Sequence, residues 1–262
     1  MSKIAIIDTD SLLFAAFHGN KVLDEKGVPM RTEDDSKFLY KEKNVNEIMD
    51  SCDYLMNTLL SKSEATGYIG FVKGFNTTKS KEAINEAYKA DRGKESPKFW
   101  NFTKEYLKLV WGVVEVNNME TDDAVNIARL NIKNSFICAI DSDLLGLEGT
   151  HYNWKTNTWI TTSKDEANFK FWSDMICGTH NNTKGIPNKG PAYVKKLFNS
   201  EPLEVGIVTH SMLVEDEFIN HFGEQEGIKQ FYVNYVCTKI LSNYEEFVIP
   251  EITEYKMAAL DF

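Results

Sequence analysis

Residues 3–12 read Lys3-Ile-Ala-Ile-Ile-Asp8-Thr-Asp10-Ser-Leu12, an unbroken apolar run that ends abruptly in acid. Four apolar residues in a row, three of them β-branched, are too few for a helix and predict a strand buried on both faces. Ser11 to Phe17 then starts a helix. Tyr68 to Val72, Val113 to Val116 and Ser135 to Ile140 read as further strands, the last ending at Asp141. Helices are expected over 46–63, 80–90, 98–110 and from about Asp122 to Asn131, with Gly93 to Pro97 as a break. Residues 19–45 are polar and aperiodic and read as a loop. His151 to Thr161 reads as a hairpin, and the remainder as helices over 165–177, 190–199, 212–222 and 225–242. Strands alternating with helices predict an α/β fold with a mostly parallel sheet and flanking helices. Ligands of such sheets sit beyond the carboxyl ends of the strands, where Asp8 and Asp141 fall.

The chain has 262 residues, of which 42% are hydrophobic, enough to bury a real core. Its 29 basic and 39 acidic residues give a formal charge of −10. That argues against a protein that simply coats nucleic acid, which shows a basic surplus. It leaves room for a nuclease, because metal sites are built from carboxylates. Cys52, Cys138, Cys177 and Cys237 lie far apart, without metal-ligand spacing, and read as buried free thiols suited to a reducing compartment. Asp8 and Asp10 inside the apolar opening argue against a signal peptide. No run of about 18 uncharged apolar residues exists, so no membrane span and a cytoplasmic location are expected, the host cytoplasm if the gene is a phage's.

Three acidic clusters stand out: Asp8-Thr-Asp10, Glu120-Thr-Asp122-Asp123 and Asp141-Ser-Asp143. Each has an ordinary explanation. Acids in the first turn complement a helix dipole, and Asp or Thr caps helices. Taken together they are harder to dismiss, because the topology brings all three to one edge of the sheet. Two carboxylates about 4 Å apart repel by roughly 4 kcal/mol at an effective dielectric of about 20. Five or six would consume a large share of a typical stability of roughly 5–15 kcal/mol. Some must protonate, or a cation must sit among them. Oxygen ligands without His or Cys point to Mg²⁺ or Mn²⁺, and such sites act on phosphates.

Residues 73–108 carry nine Lys or Arg against five acids, a local surplus of +4. Within them lies Tyr88-Lys89-Ala-Asp-Arg92, where Lys89 and Arg92 are three apart and share a face of any helix. A solvated surface helix explains the charge equally well. Residues 184–199 hold Lys184, Lys189, Lys195 and Lys196 with no acid. Gly185-Ile-Pro-Asn-Lys189-Gly190-Pro is a tight loop that leads into a helix, and backbone N–H groups there can hold phosphate. A plain helix–helix turn is the alternative.

These segments, in this order, resemble the 5′ nuclease family: flap endonucleases, the 5′ nuclease domain of bacterial DNA polymerases, and phage 5′→3′ exonucleases. The carriers are Ile6-Ile-Asp8-Thr-Asp10-Ser-Leu, Tyr88-Lys89-Ala-Asp-Arg92, Met119-Glu120-Thr-Asp122-Asp123-Ala, Ile140-Asp141-Ser-Asp143-Leu-Leu and Gly185-Ile-Pro-Asn-Lys189-Gly190. They span about residues 4–198, and the short arch and compact size look most like the phage branch. The resemblance implies a twisted α/β sheet of PIN-like type with a helical arch at about 75–110. It places the nuclease core in 1–170 and a helix–hairpin-type duplex-binding region in 171–262. It implies a 5′→3′ exonuclease or flap endonuclease acting on DNA with a 5′ end, flap or gap, RNA–DNA hybrids included. One or two Mg²⁺ or Mn²⁺ ions would be held by Asp8, Glu120, Asp122, Asp123, Asp141 and Asp143. Asp8 and Asp141 would serve catalysis with Lys89 and Arg92, which would steady the phosphate charge. Tyr88 would pack against a base or the arch wall. Gly185, Lys189, Gly190 and Lys195 would grip the duplex backbone.

The chain departs from the family pattern in two places. The family has another Asp ending the second strand, whereas residues 65–81 contain no acid and Lys73 or Phe75 falls near that place. Where the family has Gly-Asp-x-x-Asp, this chain has Gly178-Thr179-His180-Asn181-Asn182. Asn182, Asp174 and His180 are candidates to compensate. Two other readings compete. A structure-specific DNA-binding protein of the same fold would bind without cutting. A haloacid-dehalogenase-type phosphatase would use Asp8 as nucleophile, but leaves Glu120-Thr-Asp122-Asp123 and the 185–190 loop without a role.

Overall fold

The structure is a computed structural model that describes residues 3–17, 21–26, 28–31, 39, 41–90, 96–199 and 207–255. β1 (Ile4–Asp8) is buried along its whole length. Ala5 and Ile7 face one core, Ile4 and Ile6 the other. Burial on both faces is why this strand is continuously apolar rather than alternating. α1 (Thr9–Phe17) leaves β1 directly. α2 (Val45–Lys62) starts at a capping box in which Asn44 and Glu47 bond each other's backbone N–H. β2 (Gly67–Lys73), α3 (Lys79–Glu82), α4 (Trp100–Trp111), β3 (Val114–Val116) and α5 (Thr121–Asn131) follow. Then come β4 (Ser135–Cys138), α6 (Ser142–Leu145) and the hairpin of β5 (Gly149–Asn153) and β6 (Thr158–Thr162).

The sheet order is β3-β2-β1-β4-β5-β6. β1 runs parallel to both β2 and β4, β2 to β3, and β4 to β5; only the β5–β6 hairpin is antiparallel in that path. The chain walks outward from β1 through β2 to β3, then returns to the other side of β1 for β4. Strand order therefore reverses between β1 and β4, where a crevice opens beyond the carboxyl ends. Leu12, Met56 and Leu107 of α1, α2 and α4 cover one face of the sheet. Val125 and Ala128 of α5 and Leu144 of α6 cover the other.

The last third is helical. α7 (Lys164–Cys177) opens with a Ser163–Glu166 capping box. The two-residue strands β7 (Gly178–Thr179) and β8 (Thr183–Lys184) pair antiparallel. α8 (Pro191–Asn199), α9 (Ile207–Phe222) and α10 (Glu224–Thr238) complete it around a core of Trp172, Met175, Val194, Val214 and Phe218. After α10 the chain returns to the sheet. Asp123 accepts the Leu241 N–H at 2.8 Å and the Asn126 amide donates to the Leu241 carbonyl at 2.9 Å. A short strand, β9 (Thr253–Glu254), then pairs antiparallel with β2.

The strands and hairpin expected from sequence are present, and so are the α1, α2, α4 and α5 helices. The expected helix over 80–90 is not. It ends at Glu82, and turns follow through Ala90. Lys89 has φ +54, so it shares no helix face with a following residue. The cause is competition for backbone donors: the Asn85 side chain accepts from the Ala87 N–H, and the Lys89 N–H goes across to the Asn181 carbonyl. In the stretch expected as an arch, the described residues show α3, this turn-rich segment and α4. Arg92 lies outside the described residues, as does part of the 19–45 loop. Cys52, Cys138 and Cys237 are buried and Cys177 is half-buried, all unbridged. No described helix is long and apolar enough to cross a membrane.

Candidate active site

A cavity of about 210 Å³ opens at the strand-order reversal. Asp8 at the end of β1 and Asp10 in the first turn of α1 enter from one side. Glu120, Thr121 and Asp122 at the start of α5, Asp141 after β4, Lys73 at the end of β2, and Lys89 also line it, with Ser11, Phe14 and Thr77 between them. Each ordinary explanation is also fulfilled. Asp141 caps α6 by accepting from the Asp143 N–H at 2.8 Å, and Asp122 and Asp123 occupy the first turn of α5. Capping fixes where these carboxylates stand, and the sheet brings them together.

Their titration shows the strain of that convergence. Asp8 is pushed up to about 7, by burial first and then by the charges of Asp10 and Asp141, against hydrogen bonds from Ser11 and the Asp10 N–H. Burial also raises Asp10, although the Lys73 N–H at 2.9 Å and the Thr121 hydroxyl at 2.7 Å both donate to it. Asp122 is raised well above its usual range by burial and by Asp8, Asp141 and Glu120. Glu120 behaves oppositely. Burial works against its charge, yet Lys81 and Lys89 hold it down to about 2. Lys81 Nζ meets Glu120 Oε2 at 2.5 Å, Lys89 Nζ bonds Glu120 Oε1, and the Tyr88 hydroxyl donates to Oε2 at 3.0 Å.

Two of the expected metal ligands stand elsewhere. Asp123 is turned away from the cavity and binds the Leu241 N–H, while Asp143 pairs with Lys170. Tyr88 is 2% exposed beneath Glu120, so it forms the wall and offers no face to a base. The hairpin loop is spent on the arch side. Asn181 accepts the Lys89 N–H, and the Asn182 amide donates to the Ala87 carbonyl at 3.0 Å, so the loop that departs from the family pattern anchors the segment carrying Lys89. Gly185 is a close-approach position: a Cβ there would lie 2.2 Å from the Cys177 carbonyl carbon. Lys189 is ion-paired with Glu217, which also accepts from the Tyr193 hydroxyl at 2.7 Å. Gly190 precedes α8, and Lys195 is exposed on it.

Lys81 has no distinguishing signal in the sequence. It is one of nine cations in the stretch, and only the structure buries it, at 7% exposure, between Glu120 and the Lys239 carbonyl at 3.3 Å. Removing one partner of a buried pair leaves the other charge uncompensated. Lys81→Met is therefore expected to destabilise the fold by about 3 kcal/mol in urea unfolding, with most of the loss recovered in the Lys81→Met/Glu120→Gln double variant. Additive losses would show that the pair does not carry the effect.

No protein-family model and no curated protein sequence matches the chain. Solved structures do. A bacteriophage T5 protein crystallised with metal ions superposes with a TM-score of 0.62 at 13% identity, over 90% of this chain and 89% of that one. The T5 flap endonuclease in a pseudo-enzyme–product complex with DNA and metal ions gives 0.56 at 12%, over 90% and 99%. The catalytic core of Rad2 in complex with DNA substrate gives 0.51 at 12%, over 92% and 74%. The chain has the fold of the 5′ nucleases. In this fold the β1–β4 crevice is the place where the acidic residues of this chain gather. At these identities the likeness speaks for the 5′-nuclease architecture, and the chemistry rests on the cavity itself.

Proposed function

We propose that the chain is a metal-dependent nuclease that hydrolyses phosphodiester bonds near the 5′ ends or flaps of DNA, as a 5′→3′ exonuclease or flap endonuclease. The observation that carries this is the convergence of Asp8, Asp10, Asp122 and Asp141 on one cavity, with Asp8 raised to about 7 by burial and mutual repulsion. A cation relieves that repulsion, and a donor set of carboxylate oxygens alone fits Mg²⁺ or Mn²⁺. Among the described residues no three such groups stand ready-made around one ion; Asp8, Asp122 and Asp141, which share the cavity, are the residues that would hold it. When bound, the ion supplies charge neutralisation at the phosphoryl oxygens and an activated water. Glu120 is held ionised beside it by Lys81, and Lys89 sits where its ammonium can pass from Glu120 Oε1 to a phosphate oxygen. Asp123 and Asp143 act outside this set, and Arg92 would extend the basic side of the arch.

The exposed face of α8, with Lys195 and Lys196, would meet the downstream duplex, gapped or RNA-containing substrates included. Because Lys189 is already neutralised by Glu217, Lys195→Ala/Lys196→Ala is expected to weaken duplex binding and flatten its salt dependence by about two charges, more than Lys189→Ala does. Equal effects would mean that Lys189 leaves Glu217 for phosphate.

Incubation of 5′-labelled flapped, nicked and blunt duplexes with Mn²⁺ or with chelator tests the reaction. Short labelled products in Mn²⁺ alone are expected. A second reading has its own observation: the two lysines sealing Glu120 suit a protein of this fold that binds branched DNA without cutting. Tight flap binding with no products in Mn²⁺ would select it.

A further inference from the structure

Beside the Asp8 cavity lies a second cleft, lined on its polar side by Asp143, Asp174, Thr179 and Asn181 and by the half-buried Lys170. Lys170 on α7 places Nζ 2.6 Å from Asp174 Oδ2 and 3.2 Å from Asp143 Oδ1. The two acids come from different elements, Asp143 from the first turn of α6 and Asp174 from one turn further along α7. The lysine stem lies flat against Gly146. A Cβ at that position would sit 2.2 Å from Lys170 Cδ and 2.6 Å from Cε. Any larger residue would push the stem aside.

Asp143 is two residues from Asp141, so the two acidic sites adjoin along one turn of chain. The electrostatic problem is the same in both, and the solutions differ. In the Asp8 cavity the acids Asp8, Asp10, Asp122 and Asp141 share the lining with Lys89, whose ammonium is occupied with Glu120. In the Asp143–Asp174 cleft the chain supplies its own cation. An ammonium and a divalent ion cannot occupy the same space. We propose that Lys170 is the resident cation of the Asp143–Asp174 cleft, so that this cleft takes no divalent ion and metal binding is confined to the Asp8, Asp122 and Asp141 cavity. The second half of this statement rests on the metal-dependent reading above; the first does not.

The test is the number of Mn²⁺ ions bound per folded chain, counted by electron paramagnetic resonance on the free protein. In the native chain, Asp143→Asn is expected to leave that number unchanged, and Asp8→Asn to reduce it. Lys170→Met and Lys170→Gln are each expected to add one Mn²⁺, lost again when Asp143→Asn is added, whereas Lys170→Arg adds none. No extra ion in folded Lys170→Met or Lys170→Gln overturns the proposal. So does a native chain that loses one ion on Asp143→Asn, an outcome that can be read even if neither lysine variant folds. A native chain that binds no Mn²⁺ while Lys170→Met binds one through Asp143 upholds the role of Lys170 and removes the metal-dependent reading instead.

Discussion

Asp8→Asn is expected to abolish cleavage and to make the metal-free protein more stable. In the fold Asp8 is raised from 3.8 to about 7 by burial and by the charges of Asp10 and Asp141. A carboxyl whose folded pKa is raised takes up protons more readily folded than unfolded between those two values. Stability from this group is therefore present at about pH 4, declines as pH rises through the window, and is fully lost above about pH 7. At pH 8 asparagine removes the repelled charge and still accepts through its amide oxygen from the Asp10 N–H or Ser11. A relief of about 1–2 kcal/mol, coupling to Asp10 and Asp122 taken into account, raises Tm by roughly 2–8 °C for a chain of this size. The gain should vanish by about pH 4, and saturating Mg²⁺ should narrow it at pH 8 by stabilising the native protein. The cleavage rate, losing several kcal/mol of transition-state stabilisation, should drop by about 10³-fold or more. A variant that melts lower at pH 8 and still cuts would return Asp8 to the role of a turn residue.

Lys89→Ala carries the second large effect. Its ammonium lines the cavity and pairs with Glu120 Oε1, while Lys81 and Tyr88 hold Oε2. Glu120 thus keeps two partners when Lys89 is shortened, and the fold should survive. A fixed cation aimed at the developing phosphoryl charge is worth about 10²–10³ in rate, so single-turnover cleavage should fall by that factor. Duplex affinity should change by less than about threefold, because one charge among many phosphate contacts is lost. Lys89→Arg should restore part of the rate. An unchanged rate in Lys89→Ala would leave this lysine only as a structural partner of Glu120.

The frame and the convergence were legible in the sequence because they rest on short-range signals. A both-faces-buried strand must be apolar throughout, as residues 4–7 are, and an acid directly after such a strand stands at its carboxyl end. What stayed hidden is direction. Successive residues on a helix point about 100° apart. Asp122 therefore turns into the cavity while Asp123, next in sequence, turns toward Leu241. Asp141 and Asp143, two residues apart across the start of α6, likewise line different pockets, one with Asp8 and the other with Lys170. The 80–90 segment reads as helical in the sequence, but the Asn85 side chain takes the Ala87 N–H and tertiary bonds to Asn181 and Asn182 take over its backbone. Lys81, one of nine cations in its stretch, carries no local mark of the burial against Glu120 that the fold gives it.

Diffraction from crystals soaked in Mn²⁺, with anomalous scattering used to place the ions, tests the central claim most directly. An anomalous peak within coordination reach of the Asp8, Asp122 and Asp141 carboxylates is predicted, with none between Asp143 and Asp174. Peaks confined to other surfaces at saturating Mn²⁺, with Asp8 and Asp122 still unliganded, would contradict it.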